Sequence, residues 1–453
     1  MMLDYSKLAA IRLGYGLSPV IESPADPQAL VATVAEAGPK SGDITMDVAR
    51  QVQLQVKAIR DENADDRLEQ QRALSRETLT RGARQVKRRL ARAVRDPGGF
   101  GERLVQFWAD HFTVRAGNGI ETLTSSAMVT EAIRPHITGK FGDMMFAAET
   151  HPAMVLYLDQ QRSVGPNSRA AQRAPNRNLG LNENLAREMI ELHSLGVTAD
   201  YSQEDVRELA SLLTGLYYDP ASPRIFLPGR AEPGAETVLG VDYGGEEPAR
   251  LEDIRAVIAH LAAHEATAAH IARKMAVHFI ADDPPQPLVD RLTRVFADTE
   301  GDLAAMNLTL AEAPELETHL RQKVRQPLDF MVASLRAIGL DGPDVMALTE
   351  QEVRGWLMRG LTAMGQPWSQ PRGPDGWPEE AQAWATPQGI AARTDWIIRQ
   401  LPRLRKDMPD PRDLMHAAFG DAASEALQWA VPKAENAREG IAVVLASAEF
   451  NRR

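Results

Sequence analysis

The chain contains no cysteine. That excludes disulfides, thiolate zinc sites and a cysteine nucleophile. No apolar run approaches the roughly 18 residues that a transmembrane helix needs, so no transmembrane segment is expected. The opening, MMLDYSKLAAIRLGYGLSP, lacks a basic segment followed by an apolar core of about 7–15 residues. No cleavable secretory signal is read there, and a cytoplasmic location is the default expectation. Positive charge is in deficit: 51 Lys and Arg stand against 62 Asp and Glu, for a net charge of −11. A general nucleic-acid binder would carry a basic surplus, so no nucleic-acid partner is expected. There is no internal repeat and no low-complexity tract. Neither His-Glu-x-x-His nor Glu-x-x-His occurs, so no dedicated metal motif is present. What remains is ordinary for a globular protein: 44% apolar and 25% charged residues, in a chain long enough to bury a large core.

The densest run of chemically capable side chains lies at 176–216. Residues 182–195 lack Gly and Pro and are rich in Leu, Ala, Glu and Arg, which predicts a helix. At 100° per residue, Leu185, Met189 and Leu192 share one side, with Ala186, Ile190 and His193 at its flank. Glu183, Arg187 and Glu191 form a row on the other, beside Glu188. Gly196 suits a left-handed C-terminal cap. Ser202 and Asp205 suit a capping box opening a second helix, whose apolar stripe is Val206, Leu209, Ala210 and Leu213. Two readings stand side by side. In one, Glu183–Arg187–Glu191 is a solvated ion-pair row worth only about 0.2–0.5 kcal/mol per pair. In the other, Glu188, Glu191 and His193 face a cleft and do acid–base or metal work, with Arg187 fixing the carboxylates.

A second core helix is predicted at 101–114, where Leu104, Phe107, Trp108 and His111 recur at helical spacing. His111 on this aromatic face is read either as a core histidine or as a site residue. Two buried histidines, His111 and His193, would converge with a glutamate in the manner helical bundles use to hold ions. The candidate ligands for a divalent metal are therefore His111, His193, Glu188 and Glu191.

Around these helices, residues 47–95 read as two or more helices, the later part (81–95) strongly basic. That part is read as a solvated helix, one docked on acidic partners, or a phosphate binder. Residues 160–178 form a polar stretch without periodicity, either disordered or a lid carrying Arg169, Arg173 and Arg177. Two β-like runs, 224–227 and 237–241, predict a small hairpin; the glycine pair that follows lacks the strand–loop–helix context of a phosphate cradle. His260 and His264 are four apart and are read as a surface pair on one helix face. Trp368, Trp377, Trp384 and Trp396 alternate with Pro and Gly, giving either a loop pinned by large side chains or a stacking platform.

Several pieces in order along the chain resemble a known bacterial family, the domain of unknown function 1800. They are Arg12-Leu-Gly-Tyr-Gly, Phe107-Trp-Ala-Asp-His-Phe, the run from Asn182 through Glu188, Glu191 and His193 to Gly196, Tyr201-Ser-Gln-Glu-Asp-Val, Leu213-Thr-Gly, Ile271-Ala-Arg-Lys-Met, Asp375-Gly-Trp-Pro and Ser447-Ala-Glu-Phe. The chain departs from the family pattern at Leu216, where Trp is usual, and at Ala231 and Glu236 in the hairpin, where many relatives carry His and Lys. The resemblance implies a mostly helical single unit without a settled reaction. It also implies a partner, because genes of this family often accompany one for an export-signal-bearing protein similar to sulfatases and alkaline phosphatases.

The sequence therefore predicts an all-α fold with one inserted β-hairpin, as one domain over 1–453. Within it, 1–100 is an N-terminal helical part, 101–217 holds the signature helices, 218–248 the hairpin and 249–453 the C-terminal helices. Two functions follow. One is an enzyme, a hydrolase in reaction class, using Glu188 or Glu191 as acid/base with His111, His193 and Arg187. The other is a non-catalytic partner or chaperone of the phosphatase-like protein, exported together with it.

Overall fold

A computed structural model describes residues 3–453 except 61–63, 178, 223, 246 and 247. It is 62% helical, and the sheet among the described residues is a single antiparallel pair of strands. The class is thus all-α with one hairpin. No helix among the described residues is long and apolar enough to cross a membrane.

The first half runs α1 (Tyr5–Arg12), α2 (Pro27–Thr33), α3 (Met46–Arg60), α4 (Ala64–Arg95), α5 (Phe100–His111), α6 (Gly119–Met128), α7 (Phe141–Glu149), α8 (Pro152–Tyr157), α9 (Arg169–Arg173), α10 (Asn184–Glu191) and α11 (Gln203–Leu212). Strands β1 (Gly234–Val238) and β2 (Val241–Gly245) follow, then α12 (Leu251–Ala263) and α13 (Glu265–Phe279). Many starts are set locally: Asp4, Asp26, Asn118 and Ser202 each accept the backbone N–H three residues on, satisfying a donor the helix cannot. Ser202 and Asp205 form the expected capping box.

Two large cores result. One gathers side chains between Ala9 and Leu316, with Phe100, Trp108, Phe141 and Phe279 at its centre. The other packs Val86, Leu90 and Val94 of α4 against Phe330, Trp396 and Phe450. α4 serves the second core and α5 the first, and the 97–99 turn joins them.

Buried arginines fasten these pieces. Helix ends leave carbonyls without intrahelical partners, and guanidiniums take them. Arg12 donates to Ile280 O (2.8 Å), just past α13. Arg103 reaches Arg12 O (3.2 Å), where α1 ends. Arg336 donates to Val94 O and Asp96 O (both 2.7 Å) and to Gly16 O (3.0 Å).

Several local expectations are corrected. The hairpin closes within the second β-like run, because Leu239 and Gly240 both take positive φ (50° and 76°) and form a two-residue turn. The 224–227 run contributes only an isolated bridge, Leu216 to Phe226. The signature helix stops at Glu191 rather than Leu195: the His193 N–H returns to Glu188 O (3.0 Å), and Gly196 (φ 89°) donates to Ile190 O. His264 caps α13 through its imidazole instead of continuing α12, so it shares no helix face with His260. The basic helix is docked in part: Lys87 donates to Leu348 O, Arg89 covers Trp368, and Arg92 grips Asp43. Trp384 and Trp396 are buried, so the tryptophan-rich stretch is pinned to the core. The polar stretch from residue 160 holds α9 and is tied to the hairpin region by Gly165 N–H to Arg230 O (2.9 Å) and Asn167 N–H to Glu232 (2.9 Å). Its last residue, Asn178, lies outside the described residues.

Replacing Arg336 by Leu strands the main-chain carbonyls it serves. We expect a loss of about 3 kcal/mol or more in urea unfolding. A loss below ~1 kcal/mol would show that water replaces the guanidinium there.

Candidate functional site

The last turn of α5 presents Asp110 and His111 on adjacent sides. His111 packs against the end of α10, its ring 5.8 Å from that of His193. Its Nε2–H donates to His193 O (3.2 Å), while Nδ1 accepts from Lys274 Nζ (3.0 Å) on α13. An imidazole that accepts from an ammonium is neutral. Burial, then the nearby charge of Lys274, holds its pKa well below the ordinary value.

His193 is anchored from the opposite side by Glu149, the last residue of α7: Nδ1 to Oε1 is 2.7 Å, with both side chains buried. His193 Nε2 and Glu149 Oε2 have no hydrogen-bond partner among the described residues.

Asp110 is held by the 373–380 loop. Both its oxygens accept the Trp377 backbone N–H (3.1 and 3.0 Å). This approach requires glycine before Trp377: a Cβ on Gly376 (φ 84°) would lie 2.8 Å from the Asp110 carboxyl carbon. Two sequence pieces far apart in the chain, 107–112 and 375–378, thus form one contact. Burial pushes the Asp110 carboxyl up to about 8, reinforced by the charges of Glu379 and Asp375. Burial pushes Lys274 the other way, down, against the pull of Asp110, Glu379 and Asp375. Lys274 makes no ion pair among the described residues; its one hydrogen bond is to His111.

Glu188 feels the charges of this cluster, those of His193, Glu149 and Asp375 among them. It is half-buried, and burial raises its pKa, with the charges of Glu191, Glu149 and Asp375 adding to the rise and that of His193 opposing it. Tyr157 is raised by burial and then by Glu188. A small pocket of 50 Å³ opens beside Asp110, between Thr113, Trp368 and Trp377, with space for a few waters.

Beneath the cleft runs a compensated charge chain. Arg103 donates to His278 Nε2 (2.8 Å), and His278 Nδ1 donates to Glu379 (2.5 Å). Glu379 pairs with Lys323 (3.0 Å), and Lys323 with Asp282 (2.7 Å). Arg453 closes it by pairing with Asp329 and donating to His278 O (2.8 Å). Burial drives His278 down to about 4. Although burial pushes Glu379 up, His278, Lys323 and Arg453 hold it well below the carboxylate range.

Of the residues singled out from the sequence, His111, His193 and Glu188 come together. Arg187 and Glu191 lie in the outer row, Arg187 pairing with Glu183 (3.1 Å) and Glu191 (3.2 Å). The fourth metal candidate, Glu191, stays in that outer row, and no group of three or more His, Asp or Glu side chains among the described residues is arranged to hold an ion. Both nitrogens of His111 are already engaged, so this donor set does not fit a metal. Sequence reasoning missed Glu149, Lys274, Asp375 and Glu379 as site residues. Lys274 and Asp375 sat inside pieces that carried the family resemblance; Glu149, the one acid on the inward side of an apolar helix, was a weaker signal.

The model of the family described as a protein of unknown function, DUF1800, matches residues 9–452. No curated protein and no solved structure matches the chain.

The raised Asp110 pKa has a consequence for stability. Its ionisation is costlier in the folded than in the unfolded chain, so its contribution worsens as pH rises from about 4 toward 8. Asp110→Asn removes that dependence. We expect urea unfolding to show the variant gaining on the wild type between pH 5 and pH 9; a constant difference would refute the shift.

Proposed function

The chain belongs to the DUF1800 family, whose description assigns no reaction, and from that premise we propose that it is an enzyme of the acid–base type, a hydrolase in reaction class. The observation that supports this most is a set of opposed shifts around Asp375, whose charge reaches all three groups: an amine pushed down at Lys274 and carboxyls pushed up at Asp110 and Glu188. Groups whose environments move their pKa values toward neutrality can exchange protons there.

Glu188, partly open to solvent and kept protonated more readily than a surface glutamate, is the proton donor to a leaving group. Asp110, once ionised, takes a proton from the attacking water. Lys274, without a carboxylate partner, stabilises the negative charge that develops on the substrate. His111 and His193 are positioning residues: neutral His111 holds the lysine, and His193, fixed by Glu149, holds His111 through its main-chain carbonyl. Arg187 steadies Glu191, whose charge adds to the rise on Glu188. Nothing in this scheme needs a metal, and none of its residues is assigned to one.

The test is an assay panel of carboxylate, phosphate and sulfate esters and glycosides. We expect a hydrolysis that Glu188→Gln and Lys274→Met each lower by at least about 100-fold, with unfolding temperatures unchanged. Glu191→Gln should cost less than about tenfold, as expected of a residue acting at one remove. An activity that survives both main substitutions would sink the proposal.

A second reading, a non-catalytic partner or chaperone of a sulfatase- or alkaline-phosphatase-like protein, is favoured by one surface feature. An apolar groove of 220 Å³ lies among Val56, Ile59, Leu74, Leu79 and Ile120 of α3, α4 and α6, with Leu79 49% exposed. If that partner carries an export signal, this chain would leave the cytoplasm with it. Co-expression that yields no co-purification would refute this reading.

A further inference from the structure

The basic helix α4 has a second face that neither the core nor the cleft uses. Arg76, Thr80, Arg84 and Arg88 are four residues apart and so fall along one side, with Arg81 at its flank. Together with residues 42–44 and Val48 they line an open pocket of 580 Å³, the size of a small-molecule site.

Its charges are unevenly answered. Arg81 pairs with Glu77 (2.6 Å) and Arg84 with Glu350 (3.2 Å). Asp43, the acid on the opposite wall, is occupied by Arg92 through both oxygens (2.8 and 2.9 Å). Arg76 and Arg88 have no side-chain hydrogen bond and no ion pair among the described residues. Arg88 lies against the opposite wall. Its guanidinium lies over Gly42 (φ 80°), where a Cβ would come within 2.5 Å of Nη1. The positive φ at that position favours glycine. A chain of net charge −11 has acids to spare for pairing, yet leaves two guanidiniums open to one pocket.

Arginine forks match tetrahedral oxyanions bidentately. We propose that this pocket binds a small polyanion carrying phosphate or sulfate groups, with Arg76 and Arg88 donating to its oxygens and the paired Arg81 and Arg84 supplying field. The site is separate from the Asp110–Lys274 cleft and does not rest on the proposed reaction.

The probes are inorganic pyrophosphate and inorganic sulfate, titrated calorimetrically into the full chain at an ionic strength fixed with potassium chloride. We expect saturable binding of one equivalent. Affinity should fall at least tenfold in Arg76→Gln/Arg88→Gln and stay unchanged in Arg399→Gln, an exposed arginine elsewhere. Because Arg76 and Arg88 make no side-chain hydrogen bond or ion pair among the described residues, the double variant should unfold at the wild-type temperature, which separates lost binding from lost structure. The tighter of the two anions identifies phosphate or sulfate as the recognised group. No saturable binding of either at millimolar concentration, or equal affinity in the double variant, overturns the proposal.

Discussion

The fold depends on burying arginine. A chain built largely of short helices has many helix ends, and each end leaves carbonyls that water or a side chain must satisfy. Without cysteine there is no covalent fastening. Guanidiniums do both jobs, since each offers five donors in a fixed plane. Arg12, Arg103, Arg336, Arg393 and Arg453 are all buried, and each donates to main-chain carbonyls distant in sequence. Aromatic faces lie beneath some of them, as Phe279 does under Arg103 and Phe330 under Arg393, supplying attraction without a second charge.

This solution carries a cost that shapes the cleft. Arg12, Arg103, Arg325 and Arg453 sit close enough to repel one another, and burial followed by that repulsion lowers Arg12 and Arg325 to about 9. Asp329 and Glu379 offset this inner charge. Breaking one partner of such a buried pair is far more damaging than lacking the pair altogether. The compensated chain therefore behaves as a rigid floor joining the two cores. Lys274 and His278 stand one turn apart on α13, so the floor fixes the helix that carries the cleft's amine. Of the acids above the floor, Asp110 and Glu188 are both pushed up by burial first, and the neighbouring carboxylate of Asp375 adds to each rise.

Sequence reasoning succeeded where the cause is local. The capping box at Ser202, the glycine cap at Gly196 and the apolar stripes of α5 and α11 depend on neighbours within a turn or two. It failed where one local fact redirected another: Leu239-Gly240 moved the hairpin by several residues, and a helix end at Ala263 separated His260 from His264. The site was half legible. His111 and His193 are visible as polar residues on or beside apolar helix faces, and Glu188 as one acid in a dense polar row. Their fixing partners are not, because Glu149 is 44 residues from His193 and Lys274 is 163 from His111. No periodicity encodes such contacts. The family pieces pointed to the right segments, since 107–112, 271–275 and 375–378 meet at one place, but said nothing of what each side chain does there.

The basic stretch of α4 shows how composition alone misleads. Read as charge, it is uniform. In the fold its positive side chains divide by helix face into two populations with different physics. Lys87, Arg89 and Arg92 are spent on carbonyls, an aromatic ring and a carboxylate, and removing any of them would act on stability. Arg76 and Arg88 pair with no acid among the described residues, so removing them breaks no hydrogen bond or ion pair. In a chain otherwise rich in acids, these two guanidiniums face one pocket with no acid of the polypeptide paired to them among the described residues. An external oxyanion is the group whose charge and geometry match that arrangement.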